Sequence, residues 1–279
     1  MAKPALVVVA TPIGNLGDLS PRAVDALAGV DAIACEDTRR TRKLLSHAGI
    51  RTPPLLTVND HTEASQVKAI LARLDKGERV AVVTDAGTPG ISDPGERLVA
   101  AAAAAGLPVE VVPGPSAAIA ALVVSGLPTG RFCCEGFLPR RGSGRSERLD
   151  ALRTERRTTV IYEAPHRVRA TAAELTEALG PRRRVAVVRE LTKLHEEVWR
   201  GTLAGAVEHL AAGEPRGEYV IVLGGAEAPA PPDDEEVRRA LQAQLDAGTT
   251  KKSAITDVAR ALSVPKRRVY EIAMSVKDR

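Results

Sequence analysis

Aromatic residues make up only 2% of this 279-residue chain. Two Phe, three Tyr and one Trp cannot build a base-stacking platform, so a nucleic acid held chiefly by aromatic stacking is excluded. Any RNA contact has to rest on Arg, Lys, backbone and shape. Cysteine is scarce as well. Cys35, Cys133 and Cys134 give no CxxC pair, no metal spacing and no disulfide framework, which predicts a metal-free protein of the reducing cytoplasm. The apolar run Leu98–Ala105 is too short to span a bilayer. Leu6–Ala10, cut off by Thr11-Pro12, is too short for a signal peptide. Neither sign of charge dominates: the net charge of +4 is compatible with an anionic partner without proving one.

What is present is a repeating pattern. Short β-branched runs recur at Leu6–Ala10, Val30–Cys35, Val80–Thr84, Val109–Val112, Thr159–Glu163, Val185–Arg189 and Tyr219–Leu223. Most are nearly continuous in apolar residues, as strands buried on both faces require. Helical stretches lie between them. Ser20-Pro21 and Asp93-Pro94 each read as a helix start, a capping side chain followed by proline at the first helical position. The alternation predicts an α/β fold with a largely parallel sheet. The expected organisation is an α/β lobe over 1–128, a second over 129–225, the semi-rigid linker 226–232 (AEAPAPP) and a small helical domain over 233–279. In that last stretch Ile255, Val258, Ala259 and Leu262, then Val269, Ile272, Ala273 and Val276, fall at helical spacing on either side of Ser263–Pro265, a helix-turn-helix pattern.

Three loops rich in Gly and Pro each follow a predicted strand: Thr11–Asn15, Asp85–Gly95 and Pro113–Ala117. In open parallel sheets ligands bind beyond the carboxyl ends of the strands, and glycine lets backbone approach a ligand closely. None of the loops carries G-x-G-x-x-G or G-x-x-x-x-G-K-[ST], so neither a dinucleotide nor a P-loop nucleotide is indicated. One such loop is an ordinary strand-to-helix turn; three in one half-chain point to a ligand.

These residues also carry a family resemblance. ATPIGNLGDLSPRA (Ala10–Ala23), CEDTRRTRKLL (Cys35–Leu45), VTDAGTPGISDPG (Val83–Gly95), VPGPSA (Val112–Ala117), YEAPHR (Tyr162–Arg167) and RELTKLHEE (Arg189–Glu197) occur in this order. Together they resemble the S-adenosylmethionine-dependent ribosomal RNA ribose 2′-O-methyltransferase branch of the tetrapyrrole methylase superfamily, from about Leu6 to Gly225. The usual first-loop G-x-G-P-G is degenerate here, as Thr11-Pro12-Ile13-Gly14, which favours the RNA branch.

The resemblance implies a two-lobed fold, with a mostly parallel N-terminal sheet, a mixed C-terminal sheet and a small helical appendage. It implies a homodimer, S-adenosylmethionine in the cleft between lobes, and methylation of the ribose 2′-OH of a decoding-centre cytidine in 16S rRNA of the small subunit. Carried over by position, Pro12 lines the methionine side. Asp85, Ala86, Gly87, Gly90 and Ile91 face the cofactor from the second loop, with Ser116 and Ala117 at the third. Phe137, Glu163, Ala164 and Pro165 hold the adenine side from the second lobe.

Methyl transfer to a 2′-OH is mainly a positioning problem. A base or a cation near the developing alkoxide helps, and the candidates are Glu36, Asp37, Arg39, His61 and Lys193. Each has a plainer reading. Glu36-Asp37 with Arg39-Arg40 is also a paired charge cluster at a strand end. His61 is also a surface residue at a helix start, Lys193 pairs with Glu190 or Glu196, and Asp85 caps a turn. Pro139–Arg157 holds seven arginines against three acids, and Gly248–Arg279 holds eight Lys and Arg against three acids. Charge runs are often only solvated faces, but two of them around a transferase cleft favour RNA. Pro139–Arg148 reads as a loop. The alternatives are a tetrapyrrole C-methyltransferase using the same loops, and a nucleic-acid-binding regulator with the tail as reader.

Overall fold

The computed structural model describes residues 3–59, 62–227 and 232–275. The chain divides after Ala226 into two units. In the first, the apolar runs become strands and the stretches between them helices: β1 (Ala5–Val9), α1 (Pro21–Ala28), β2 (Ala32–Cys35), α2 (Thr38–His47), β3 (Leu55–Thr57), α3 (Glu63–Asp75), β4 (Arg79–Val83), α4 (Glu96–Ala104), β5 (Val109–Val112) and α5 (Ala117–Ser125). The sheet order is β3-β2-β4-β1-β5, and every pairing is parallel. Side-chain alternation splits the core. Val7, Val9, Ile33, Cys35, Ala81 and Val83 meet Leu27 of α1 and Leu45 of α2, whereas Leu6, Ala34, Val80 and Val82 meet Ile70 and Leu74 of α3 and Leu98 of α4. Burial on both faces is why these strands read as continuous apolar runs.

The second sheet follows: β6 (Phe132–Phe137), α6 (Ser143–Thr154), β7 (Thr158–Glu163), α7 (Val168–Leu179), β8 (Arg184–Arg189), β9 (Glu197–Thr202), α8 (Leu203–Ala211) and β10 (Tyr219–Leu223). Its order is β6-β7-β10-β8-β9, parallel only between β6 and β7, so the sheet is mixed. Ile161, Val185, Val187, Tyr219 and Ile221 face α7 and α8; Val160, Ala186, Val188, Val220 and Val222 face α5, which thereby carries the first half of the chain onto the second sheet.

Two local expectations change. Ser20 caps α1 with Pro21 at its first position, but Asp93-Pro94 does not start α4. Gly95 is the cap residue there, at φ +128°, and the buried Glu63 carboxylate accepts from Gly95 N (3.0 Å) and Leu98 N (3.2 Å). A carboxylate from another helix supplies the acceptor that the sequence next to α4 lacks. Pro139–Arg148 is a loop only to Gly142, and α6 then begins. The reason is Arg145, 7% exposed, which donates to Pro139 O (2.8 Å), Thr171 Oγ1 (2.9 Å) and Glu174 Oε2 (2.5 Å) and so draws the segment inward.

The second unit holds α9 (Asp234–Asp246), α10 (Lys251–Ala261) and α11 (Lys266–Ser275) around Val237, Leu241, Ile255, Val258, Val264, Val269 and Ile272. Ser263, at φ +53°, turns the chain between α10 and α11. Of the expected linker, residues 228–231 lie outside the described residues, as does Val276 of the helical pattern. No helix among the described residues is long and apolar enough to cross a membrane.

Candidate active site

The three glycine loops converge because they are tied to one another. Thr11 N donates to Gly87 O (2.8 Å) and Gly87 N to Thr11 O (3.1 Å), an isolated bridge between the first and second loops. Thr88 Oγ1 donates to Pro115 O (3.2 Å), joining the second to the third. Gly87 is at φ +85°, and a Cβ there would sit 3.4 Å from Ile13 Cγ2. Against this face stands the second sheet. The loops and the ends of its strands enclose a cavity of about 310 Å³, at the lower end of the usual ligand-pocket range.

Most of the cofactor residues expected from sequence line this cavity: Ala86, Gly87, Ile91, Ser116, Ala117, Phe137, Glu163, Ala164 and Pro165. Gly90 does not line it; its N–H donates to Pro94 O within the turn. Pro12 and Asp85 line a neighbouring hollow instead. Ser116 occupies the cap position of α5 without a capping side-chain bond. Glu163 lines the cavity, but its carboxylate is taken. Oε1 accepts from Ala164 N (2.9 Å) and Oε2 from Thr171 Oγ1 (2.6 Å), with Arg167 Nε 3.5 Å away. Its role is to hold the cavity wall, since a buried carboxylate needs these partners. Sequence reading missed Ile13, Thr88, Tyr162, Val188, Leu191 and Glu218, which converge from both sheets. Tyr162 packs on Phe137 at 5.6 Å between ring centroids, and burial pushes its phenol up to about 12, so it stays protonated.

Ile13, Ala86 and Glu218 are shared with a second hollow of about 360 Å³ that adds Thr11, Pro12, Arg40, Lys43, Asp85 and Lys193. Lys193 Nζ donates to Glu190 Oε1 (2.8 Å) and Glu218 Oε2 (2.9 Å). Partial burial pulls its pKa down, but the two carboxylates outweigh that and leave it raised, so Lys193 is an ammonium rather than a base. Of the two expected partners, Glu190 is present. Glu196 instead accepts from Thr192 N (2.6 Å), and Glu218 takes its place at Lys193. Glu190 and Thr192 are held at φ +51° and +65°, conformations that cost about 1–3 kcal/mol each away from glycine. Gly14 fits beneath: a Cβ there would lie 2.4 Å from Lys193 Cγ and 2.8 Å from Thr192 Oγ1.

Glu36, Asp37 and Arg39 line neither space. With Thr38, Thr57 and Asn59 they border a separate hollow of about 540 Å³ at the ends of β2 and β3, which among the described residues shares only Asp85 with the Lys193 hollow. Asp37 caps α2, accepting from Arg39 N (2.8 Å), and pairs with the Arg39 guanidinium (2.8 and 3.2 Å). These bonds hold its carboxyl well below the usual carboxylate range. Asp85 Oδ1 accepts from Asp37 N (3.1 Å) and Oδ2 lies 3.4 Å from Arg40 Nε. Burial nonetheless leaves its pKa raised. His61 lies outside the described residues. No group of three or more His, Cys, Asp or Glu among the described residues is placed to hold a metal ion.

Glycine-bearing loops at the carboxyl ends of parallel strands, closed over by a second sheet, define a two-lobed α/β enzyme with a small-molecule cavity between its lobes. Residues 5–207 match the family described as Tetrapyrrole (Corrin/Porphyrin) Methylases. Ribosomal RNA small subunit methyltransferase I of Synechocystis sp. is 45% identical over 274 residues, 98% of each chain. The protein of that name from Thermotoga maritima is 45% identical over 222 residues, 99% of its own length and 80% of this chain. A solved uroporphyrin-III C-methyl transferase from Thermus thermophilus, complexed with S-adenyl homocysteine, is 24% identical, covers 79% of this chain and 96% of that one with a TM-score of 0.54, and shares the fold. The chain belongs to the tetrapyrrole methylase family, and within it to the group of ribosomal RNA small subunit methyltransferase I.

Proposed function

We propose that this chain transfers a methyl group from S-adenosylmethionine to the ribose 2′-OH of a decoding-centre cytidine in 16S rRNA. The observation that carries this is the adjacency of the two spaces: an apolar cavity with a glycine cradle shares Ile13, Ala86 and Glu218 with a hollow lined by Arg40, Lys43 and Lys193. The cavity suits the cofactor. Gly87 leaves room for close backbone approach, the Phe137–Tyr162 pair offers an aromatic wall for adenine, and the Glu218 carboxylate offers an acceptor for a cationic group. When bound, the cofactor supplies an activated methyl on a sulfonium. Everything else falls to the protein. Arg40 and Lys43 hold phosphate, and Lys193, with one of its three N–H donors uncommitted, faces the charge that develops on the alkoxide. Methyl transfer from labelled cofactor to small ribosomal subunits, followed by nuclease digestion and mass spectrometry, tests the reading; methyl on a base rather than a ribose would refute it.

Asp85 is the proposed base. Its raised proton affinity and its place in the Lys193 hollow support that role over Glu36 and Asp37. Asp85→Asn should lower kcat by about a hundredfold and abolish the acid limb of the pH–rate profile. Stability should move the other way. A carboxyl whose folded pKa is raised stabilises the fold while protonated, and that contribution is lost as pH rises through the folded pKa. The variant should therefore melt level with wild type at acid pH and no lower than wild type at pH 8, as read by thermal unfolding.

For substrate binding, the Arg-rich segment reduces to fewer residues than its charge implies. Arg145, Arg148, Arg153 and Arg157 are paired with Glu174, Glu135, Asp150 and Glu155. The exposed Arg140 and Arg141 carry no side-chain partner among the described residues and follow the cavity residue Phe137 in the β6–α6 loop. Replacing both by Ala should make the salt dependence of substrate binding shallower by about 0.7 per lost phosphate contact, with cofactor affinity unchanged by calorimetry. The helical tail is proposed as a further electrostatic contact. Because every cavity residue precedes Ala226, removing 233–279 should spare cofactor binding and weaken binding to small subunits. A homodimer is the remaining part of the reading. It is supported by α5, apolar around its circumference, which leaves Ile119 and Val123 uncovered at 47% and 65% exposure.

A further inference from the structure

We propose that Leu194 is an apolar wedge that parts the stacked nucleotides beside the target ribose, so that the 2′-OH can enter the hollow at Lys193. The inference rests on the RNA reading above. Leu194 is 93% exposed, more than any other large apolar residue described. A lone exposed leucine ordinarily needs no explanation; this one differs in how it is mounted. Its neighbour Lys193 lines the acceptor hollow and is fixed by two carboxylates.

The loop beneath is fastened at every turn. Glu190 N donates to Glu218 O (3.0 Å), Lys193 N to Glu190 O (3.0 Å) and Glu196 N to Lys193 O (3.1 Å). Thr192 N donates to Glu196 Oε2 (2.6 Å), and Asn15 N to Thr192 Oγ1 (3.2 Å). Two non-glycine residues are kept in left-handed conformations to make this turn. Backbone strain of this kind persists only where the surroundings over-determine it. The result is a well-fastened turn that carries an exposed aliphatic side chain one residue on from Lys193, a cation of the hollow. Leu16, 36% exposed and next in the chain after the clasped first loop, lines the same hollow.

RNA is the partner this combination fits. In an A-form helix the 2′-OH sits in the shallow minor groove among its flanking sugars, and parting the neighbouring nucleotides opens an in-line path from the methyl donor to it. Aliphatic side chains pushed between base steps perform that separation in other nucleic-acid complexes. Cations alone would hold the strand without opening it.

The test uses the full-length protein and small ribosomal subunits. Leu194→Ala should lower the rate of methyl transfer by about tenfold or more, with cofactor affinity, melting temperature and oligomeric state as in wild type. Leu194→Met should recover most of the rate and Leu194→Asn should not, since the wedge depends on apolar bulk. In complexes held with S-adenosylhomocysteine, wild type should raise dimethyl sulfate reactivity of the bases flanking the target, and Leu194→Ala should not. An Ala variant within about twofold of wild-type rate, or an altered oligomeric state, would overturn the wedge while leaving the function reading intact. No methyl transfer by wild type would overturn both.

Discussion

Lys193→Met is expected to lower kcat for methyl transfer by about a hundredfold or more, with cofactor affinity nearly unchanged. The side chain is held on both sides by carboxylates, at 2.8 Å from Glu190 and 2.9 Å from Glu218, which fix the position of the ammonium and keep it charged. On the proposed mechanism a cation so placed needs no reorganisation when the acceptor oxygen acquires charge, and that preorganisation would supply the rate. Met keeps the aliphatic stem that packs over Gly14, so the loop retains its shape while the charge is lost. Single-turnover measurement at saturating cofactor isolates the step. A loss confined to KM for the subunit would mean that Lys193 positions RNA and does not act on the alkoxide.

Gly87→Val is expected to abolish cofactor binding. Two costs combine. At φ +85° a β-branched side chain strains the backbone by about 1–2 kcal/mol, and its Cβ would enter the cavity 3.4 Å from Ile13 Cγ2. The backbone cannot rotate away, because both its N–H and its carbonyl are bonded to Thr11. Gly106→Val separates the two effects. Gly106 has φ +69°, and a Cβ added to it would meet nothing within 4 Å, so this variant should lose stability and keep full cofactor affinity. Calorimetry on both variants, with thermal unfolding alongside, reads the difference. Retained binding in Gly87→Val would place the cofactor elsewhere.

The pattern of what sequence reading finds follows burial, apart from β5, an exposed edge strand that its β-branched run Val109–Val112 still gives away. The strands buried on both faces, β1, β2, β4, β7, β8 and β10, stand out as apolar runs. The three strands it passes over, β3, β6 and β9, all lie at sheet edges. Leu55–Thr57 is too short to show a period, Phe132–Phe137 is interrupted by the irregularity between Cys134 and Gly136, and Glu197–Thr202 mixes charge with a single Trp. Edge strands carry weak hydrophobic signal because one side meets solvent.

The site divides in a similar way. Backbone loops are legible, since glycine and proline announce them. Which carboxylate is buried, paired or poised is not, because that depends on partners far away in the chain. Asp37 finds its arginine two residues on, where the sequence already shows it; only the fold brings Asp85 to the Asp37 N–H, 48 residues away, and gives it partial burial. Arg145 reads as one more surface cation until Thr171 and Glu174 arrive beside it.

The bond from Asn15 N to Thr192 Oγ1 spans 177 positions of sequence, and the one from Thr11 Oγ1 to Thr84 O spans 73. Contacts of such long range are late events in folding, since the intervening chain must be closed first. The cavity, lined from both sheets, therefore exists only after both have formed and met. Bound ligand stabilises the native state alone, by mass action. Hydrogen exchange should then slow across both sheets together when ligand is added, rather than at the glycine loops alone.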